Sequence, residues 1–359
     1  MSVQKLNPQE WYLGFQVWLG KQPDYRALLA FLPVPAKDLR NRSALQLGHY
    51  SAMIQTLMDD RTSRMFTEAI DAYQTEVLHA PGVKSINNED VKQAAADLER
   101  DGFVILPPLP DKTVAEMRDW AIRQPVMRNA TQIRTGDVLP VDEARQSMNI
   151  GKLELPTAID CPHLLALATD PLRLGIAARW CGTTPTILLT VVWWSFAGQP
   201  EARDAQLFHL DLDDHRFCKF FVYLTDVGEE DGPHVFTPGS HTPAALNQAV
   251  ETAEDPQACQ DWILKTFRKT DEDVRRYFRK EPVKLTGPAG TNFIAVTRGV
   301  HKGLMPVRND RLVCQVVFGS TPFLQIPDTP QTISATSNVP AALAEPPLDY
   351  TTRFMVRKD

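Results

Sequence analysis

Residues 208–241 read FHLDLDDHRFCKFFVYLTDVGEEDGPHVFTPGSH, and this stretch decides the fold. Its middle, Phe217 to Leu224, is a run of aromatic and branched side chains of the kind that fills a pleated, half-buried surface, and it predicts a strand. Just before it, His209 and Asp211 stand two residues apart, so on extended backbone both side chains project to the same face. Just after it, a polar turn containing Gly232 leads into a second short strand, His234 to Thr237, which ends on the turn chemistry of Pro238-Gly239.

Outward from this centre the same pattern repeats. Thr186 to Phe196 (TILLTVVWWSF) predicts a buried strand, and Val283–Leu285, Asn292–Thr297 and Leu312–Phe318 predict three more. Short strands separated by turns, with most helices upstream, define an α+β protein. They point to a double-stranded β-helix, a jelly-roll or cupin-type barrel with flanking helices, rather than a parallel sheet. Upstream, Trp11, Phe15 and Trp18 recur at helical spacing, and Leu45 to Leu78 keeps a helix-compatible pattern after Pro33 and Pro35. Residues 1–87 are therefore expected to form an N-terminal helical annex. Asn88 caps a helix through Leu98, Phe103 to Leu106 is extended, and Asp111–Gln124 and His163–Trp180 are helical. Ala130 to Leu153 is read as irregular. The main domain is expected over 88–326, with a helical insertion at about 244–280, and the Pro-rich 327–359 as an irregular tail.

Composition bounds the rest. Across 359 residues, 43% hydrophobic and 23% charged content is ordinary for a globular chain. A net charge of −6 with no basic block argues against nucleic acid, because such binders need clustered cations to displace counterions. The Arg268-to-Lys280 segment interleaves its cations with acids and reads as a solvated helix face. Five widely spaced cysteines without a CxxC pair favour neither a disulfide framework nor a thiolate zinc site. The expectation is a reduced, cytoplasmic protein with no signal peptide and no membrane span. No feature specifies an oligomeric state.

The chemistry begins with His209 and Asp211, which can meet one metal ion. His301 closes the strand-like run TNFIAVTRGV after Gly287-Pro288-Ala289-Gly290 and supplies a third ligand. Two imidazoles and one carboxylate leave positions open on an octahedral ion, the arrangement of non-haem iron(II) oxygenases. Ten residues beyond His301, Arg311 enters the apolar run LVCQVVFG. A guanidinium buried there needs an anionic partner, and its planar fork suits the distal carboxylate of 2-oxoglutarate. The competing reading is a salt bridge to a protein acid, and Arg308 is the rival for the same role. Alternation puts Lys219 with Phe221 and Tyr223 on one strand face. If that face lines the barrel, Lys219 lies beside the cosubstrate or an anionic substrate; otherwise it reaches to the rim. His215, His234 and His241 are assigned structural or supporting roles, Asp213 and Asp214 are read as hydrogen-bond partners or surface acids, and Trp193 and Trp194 are expected to face opposite ways.

HLDLDDHRFCKFFVYLTDVGEEDGPHVFTPGSH, GPAGTNFIAVTRGVHKG with Arg311 beyond it, and DLERDGFVILPPL together resemble the phytanoyl-CoA dioxygenase-like family of iron(II)/2-oxoglutarate-dependent oxygenases over about residues 95–320. The resemblance implies iron(II), 2-oxoglutarate and O2 as the reacting set, with His209, Asp211 and His301 as iron ligands and Arg311 as the cosubstrate anchor. It implies hydroxylation of a small organic molecule with release of succinate and CO2. Desaturation, epoxidation or cyclisation would use the same chemistry. Halogenation is disfavoured because related halogenases carry a small residue where Asp211 stands. A zinc hydrolase, which would not explain Arg311, and a non-catalytic cupin-like binding protein are the alternatives from other classes.

Overall fold

The outcome of strand alternation is visible along two central strands. A computed structural model describes residues 7–32, 56, 58–81, 88–127, 137–322, 330–334 and 336–358. Its strands in chain order begin with β1 (Phe103–Leu106), β2 (Val126–Met127), β3 (Val138–Leu139), β4 (Ile150–Lys152), β5 (Thr186–Ser195) and β6 (Phe217–Tyr223). They continue with β7 (His234–Phe236), β8 (Val283–Leu285), β9 (Asn292–Ala295), β10 (His301–Gly303) and β11 (Arg311–Gly319). Six of them form one sheet in the order β1-β9-β6-β11-β5-β4, and three form a second in the order β10-β7-β8. Every pairing in both sheets is antiparallel. The protein is thus a mixed helix-and-sheet structure with antiparallel sheets.

The large sheet has two unlike faces. Cys218, Phe220 and Val222 of β6 and Leu312, Cys314 and Val316 of β11 join the main core. Val91 and Leu98 from helix α1 (Glu89–Asp101) and Leu174, Ile176 and Ala177 from helix α2 (Pro171–Cys181) cover that face. Phe221, Tyr223, Phe293 and Val313 point the other way and pack with Leu285 of the small sheet. Tyr223 clamps the two layers, donating from its hydroxyl to the Leu285 carbonyl at 2.9 Å and accepting from the His234 amide at 2.9 Å.

Local chemistry sets the helix boundaries. Asn88 caps α1 by accepting from Val91 N at 2.7 Å, and Gly102 ends it in the left-handed region at φ 84°. The single helix expected over His163–Trp180 is two, Leu164–Ala168 and α2, because Asp170 caps the second and Pro171 begins it. The insertion is three capped helices, α3 (Pro243–Glu251), α4 (Pro256–Lys265) and α5 (Asp271–Phe278), whose Leu246, Trp262, Ile263 and Val274 pack with Phe208, Val235 and Val300. The reading of 268–280 as a solvated face fails at Lys269. Its side chain is buried, and its ammonium donates to the carbonyls of Trp262 and Thr266 and lies over the Trp262 ring. The stretch read as irregular, Ala130 to Leu153, carries β3, a helical turn at Val141–Arg145 and β4 within its described part.

Near the N-terminus, helices Pro8–Lys21 and Asp60–Glu76 close a separate apolar cluster, with Trp11, Tyr12 and Phe15 against Phe66, Ile70 and Tyr73. Residues 45–55 of the expected second helix lie outside the described residues. The second helix also touches the main body: Thr67 Oγ1 lies 3.1 Å from His215 Nε2, and Gln74 accepts from Thr183 Oγ1 at 3.0 Å. At the other end, the described part of the tail folds back onto the core. Leu343, Phe354, Met355 and Val356 are buried there, and Gln331–Thr332 pairs with Val356–Arg357.

Candidate metal centre

His209, Leu210 and Asp211 run extended along the edge of β10. His209 and His301 exchange both backbone hydrogen bonds, at 2.9 and 3.0 Å, and the Asp211 amide donates to Thr297 at 2.9 Å. This bridge forces His209 and His301 opposite each other, and the two-residue period brings Asp211 to the same side. The imidazole centroids are 4.2 Å apart. Nε2 of His209 lies 3.6 Å from one Asp211 oxygen, and Nε2 of His301 lies 3.4 Å from the other. One ligand atom from each of the three residues falls within 4.8 Å of the others.

The orientation of the rings fits a metal better than a salt bridge. Nδ1 of His209 donates to the Leu207 carbonyl at 2.8 Å and Nδ1 of His301 to the Gly299 carbonyl at 2.9 Å. Both Nδ1 atoms are thereby protonated and taken up by backbone carbonyls, which turns both Nε2 atoms toward Asp211. Two imidazole Nε2 atoms and a carboxylate converging in this way are a donor set for a divalent cation. Burial, with the neighbouring His301 ring, pushes the His209 pKa down to about 3, so its imidazole is neutral at physiological pH. Burial alone would raise the Asp211 pKa, but Lys219 and the two imidazoles hold it well below the usual carboxylate range.

Lys219 shares the face of Phe221 and Tyr223, and of the two alternatives, interior or rim, it takes the interior and is nearly inaccessible. Its ammonium bridges Asp211 Oδ2 at 2.6 Å and Asp213 Oδ2 at 2.7 Å. The lysine expected beside a cosubstrate is ion-paired in this structure to two protein carboxylates. Its pairing opposes the cost of burial and raises its pKa. With one Asp211 oxygen held by Lys219, the carboxylate cannot swing freely, which fixes the direction of its other lone pairs.

Arg311 enters on the same face of the large sheet, opposite Ser195. It is buried, donating to the Gly232 carbonyl and to Ser195 Oγ at 3.0 Å, and no carboxylate neutralises it among the described residues. Its guanidinium passes over Gly303, where an added Cβ would meet Nη2 at 2.8 Å. Arg308, the rival, is at the surface in an ion pair with Asp231 at 3.0 Å. His241 contacts the Glu99 carbonyl at 3.1 Å, and His215 packs on Phe66. Asp214 is buried and accepts from the Thr321 amide at 2.7 Å, so it braces the strand end rather than the site. Trp193 and Trp194 do face opposite ways: the first lies edge-on to Phe221, the second stacks on Phe196 in the main core.

Two residues near the site had no sequence signal. Lys152 pairs with Trp193 across β4 and β5 and so shares the inward face, where burial lowers its pKa and Lys219, Asp204 and Asp211 all act on it. The strand carrying it is only Ile150–Lys152, too short for any periodicity. Arg298 is buried behind the metal-site loop, donating to the carbonyls of Asp214 and His215.

Two imidazoles and a carboxylate on an antiparallel framework, with an unneutralised arginine buried beyond them, have the form of a non-haem iron(II) oxygenase site. The family model described as phytanoyl-CoA dioxygenase (PhyH) matches residues 98–304, more than half of the chain, and the chain belongs to that family. It is an iron(II)/2-oxoglutarate-dependent oxidoreductase. Among solved structures, EctD from S. alaskensis in its apo form is similar at 19% identity, over 67% of this chain and 84% of that one, with a TM-score of 0.46. HygX from Streptomyces hygroscopicus with nickel and 2-oxoglutarate bound is similar at 14% identity, over 68% and 92%, with a TM-score of 0.40. The non-heme alpha ketoglutarate dependent epimerase SnoN from nogalamycin biosynthesis is similar at 19% identity, over 64% and 81%, with a TM-score of 0.39. A search of curated proteins gave no match.

Proposed function

We propose that His209, Asp211 and His301 hold the iron(II), that Arg311 anchors the distal carboxylate of 2-oxoglutarate, and that the enzyme hydroxylates a small organic metabolite with release of succinate and CO2. The observation that carries this reading is the pair of imidazoles turned by backbone carbonyls so that both Nε2 atoms face one carboxylate within 3.6 Å. Iron(II), with 2-oxoglutarate and O2, supplies the oxidising chemistry that removes a substrate hydrogen. The chain's own residues orient and enclose. Lys219 restrains Asp211, while Arg311 and Lys152 give the inward face a positive potential suited to a dianionic cosubstrate. Phe221, Tyr223 and Phe293 wall one side with apolar surface and exclude water from it.

Hydroxylation is the simplest outcome of this arrangement. Desaturation, epoxidation or cyclisation would need only a different placement of the substrate over the same residues. Lys219 serves the metal site through Asp211 and does not bind the cosubstrate itself, in keeping with its two carboxylate partners. The two facing antiparallel sheets support a jelly-roll reading of the main domain over 88–326, preceded by a helical annex at 1–87 and followed by a tail at 327–359. No described helix is long and apolar enough to cross a membrane. Five buried, unpaired cysteines favour a reducing compartment such as the cytoplasm.

The test is a split between two variants. Asp211→Ala should abolish 2-oxoglutarate-dependent turnover, whereas Arg311→Ala should mainly weaken binding of 2-oxoglutarate. Unchanged cosubstrate affinity in the latter would move the anchor elsewhere and contradict the assignment.

A further inference from the structure

One side chain between His301 and Arg311 has no task in the reading above. His234 stands on β7 directly opposite Gly303 of β10, in the register that also pairs Phe236 with His301. Residues 301 and 303 share a face of their strand, as do 234 and 236. His234 therefore has the metal-site imidazole of His301 on one side, with ring centroids 5.3 Å apart. On its other side is the guanidinium that lies over Gly303. Phe221 and Phe293 pack against the ring at 5.1 and 5.4 Å. The residue is 5% exposed, and its Nε2 is fully buried with no hydrogen-bond partner among the described residues.

An orphaned polar nitrogen in an aromatic cage is unfavourable, and a leucine or phenylalanine would fill this volume without the penalty. The nitrogen is explained if a ligand completes it. The neighbours limit which ligand. His234 is not in the set of metal-competent donors, whose atoms converge within 4.8 Å and come from His209, Asp211 and His301 alone among the described residues. The charged group beside it over Gly303 is Arg311, whose Nε is also buried with no hydrogen-bond partner among the described residues. A carboxylate seated there can take a hydrogen bond from each.

We propose that His234 is a cosubstrate-binding residue whose Nε2–H donates to the distal carboxylate of the 2-oxo acid held by Arg311, so that the imidazole and the guanidinium together select a five-carbon dicarboxylate. This rests on the proposed reading that 2-oxoglutarate spans from the metal to Arg311. Gly303 fits the arrangement, because any side chain there would displace the guanidinium from its place beside His234.

The test uses the full chain loaded with zinc(II), which does not turn over, and measures 2-oxoglutarate and 2-oxopentanoate binding by calorimetry. 2-Oxopentanoate keeps the chelating end and lacks the distal carboxylate. His234→Phe, which preserves the ring packing, should weaken 2-oxoglutarate by about 10- to 100-fold, the range for a hydrogen bond to a charged group. It should leave 2-oxopentanoate within about twofold, and His234→Gln, which restores an N–H donor, should recover part of the loss. The inference is overturned if His234→Phe binds 2-oxoglutarate like wild type, if it loses both acids equally, or if it loses zinc. Arg311→Leu separates the role of His234 from the cosubstrate anchor on which it rests. If wild type fails to bind 2-oxoglutarate, or Arg311→Leu binds it normally, the proposed function fails; if only Arg311→Leu loses it, the role of His234 alone fails. Should His234→Phe not fold, nitrogen-15 NMR of wild-type imidazoles decides: a protected His234 N–H must appear with 2-oxoglutarate and not with 2-oxopentanoate.

Discussion

The two faces of the large sheet are built from the same strands and differ in almost every other respect. On β11, Leu312, Cys314 and Val316 point to the helices and are completely buried among apolar neighbours, while Arg311, Val313 and Gln315 point inward. On β6, Cys218, Phe220 and Val222 face outward and Lys219, Phe221 and Tyr223 inward. The outward face removes hydrocarbon from water, at about 25 cal/mol per Å² of apolar surface, and nothing in it requires a ligand. The inward face buries Arg311 and Lys219, facing the buried His209 and His234 and the half-buried Asp211 of the opposite layer, groups that are unfavourable there unless each finds a partner. Lys219 finds two carboxylates; among the described residues Arg311 finds only a carbonyl and a hydroxyl. The contrast is between a face that stabilises the fold by apolar packing and a face on which the Arg311 charge has no anionic partner among the described residues.

The largest effect that could break this comparison is at the metal site. His301→Ala should remove turnover altogether and strongly reduce zinc or iron binding, with little change in the cooperative thermal transition of the metal-free protein. An equal loss of stability and activity would mean that the inward face is structural too. Phe220→Ala, one strand position from Lys219 but on the opposite face, should do the reverse. It should cost about 3–5 kcal/mol in denaturant unfolding, as large cavities in cores do, while metal and 2-oxoglutarate affinities of the folded fraction stay unchanged.

How much of this could be read from the chain follows from the same physics. Long strands announced themselves: Thr186–Ser195 and Phe217–Tyr223 carry enough branched and aromatic residues to show both identity and alternation. β4 and β10, each of three residues, carry no period, so Lys152 stayed hidden and His301 was reached by its place after a turn. The HxD spacing made His209 and Asp211 visible, since two residues is the repeat of a strand. Arg311 and Arg308 looked alike until burial separated them, because the partner of Arg308, Asp231, is placed by a turn rather than by spacing. Lys219 was located on the right face, but its bond to Asp213 depends on how residues 211–216 curl, which no periodicity encodes. His234 was given a structural or supporting role because an isolated histidine in an apolar strand carries no further signal until its neighbours are known.

A smaller effect sharpens the comparison within the inward face. Lys219→Met should reduce metal affinity by about 10- to 100-fold, the usual consequence of freeing a ligand from its hydrogen-bonded support. Calorimetry with zinc checks this, and unchanged affinity would show that Asp211 is positioned by backbone alone. The smallest lies outside both faces. Thr67→Val removes the hydroxyl beside His215, which should lower stability by about 1 kcal/mol while leaving 2-oxoglutarate binding intact; altered binding would mean that the N-terminal helices set the geometry of residues 209–216.

The central claim is that His209, Asp211 and His301 hold iron(II) in a form that chelates 2-oxoglutarate. Anaerobic addition of iron(II) and then 2-oxoglutarate to purified metal-free protein, followed by visible absorption, tests it most directly. The expected result is a weak charge-transfer band that needs both additions and is absent from Asp211→Ala. Wild-type protein showing no such band would contradict it.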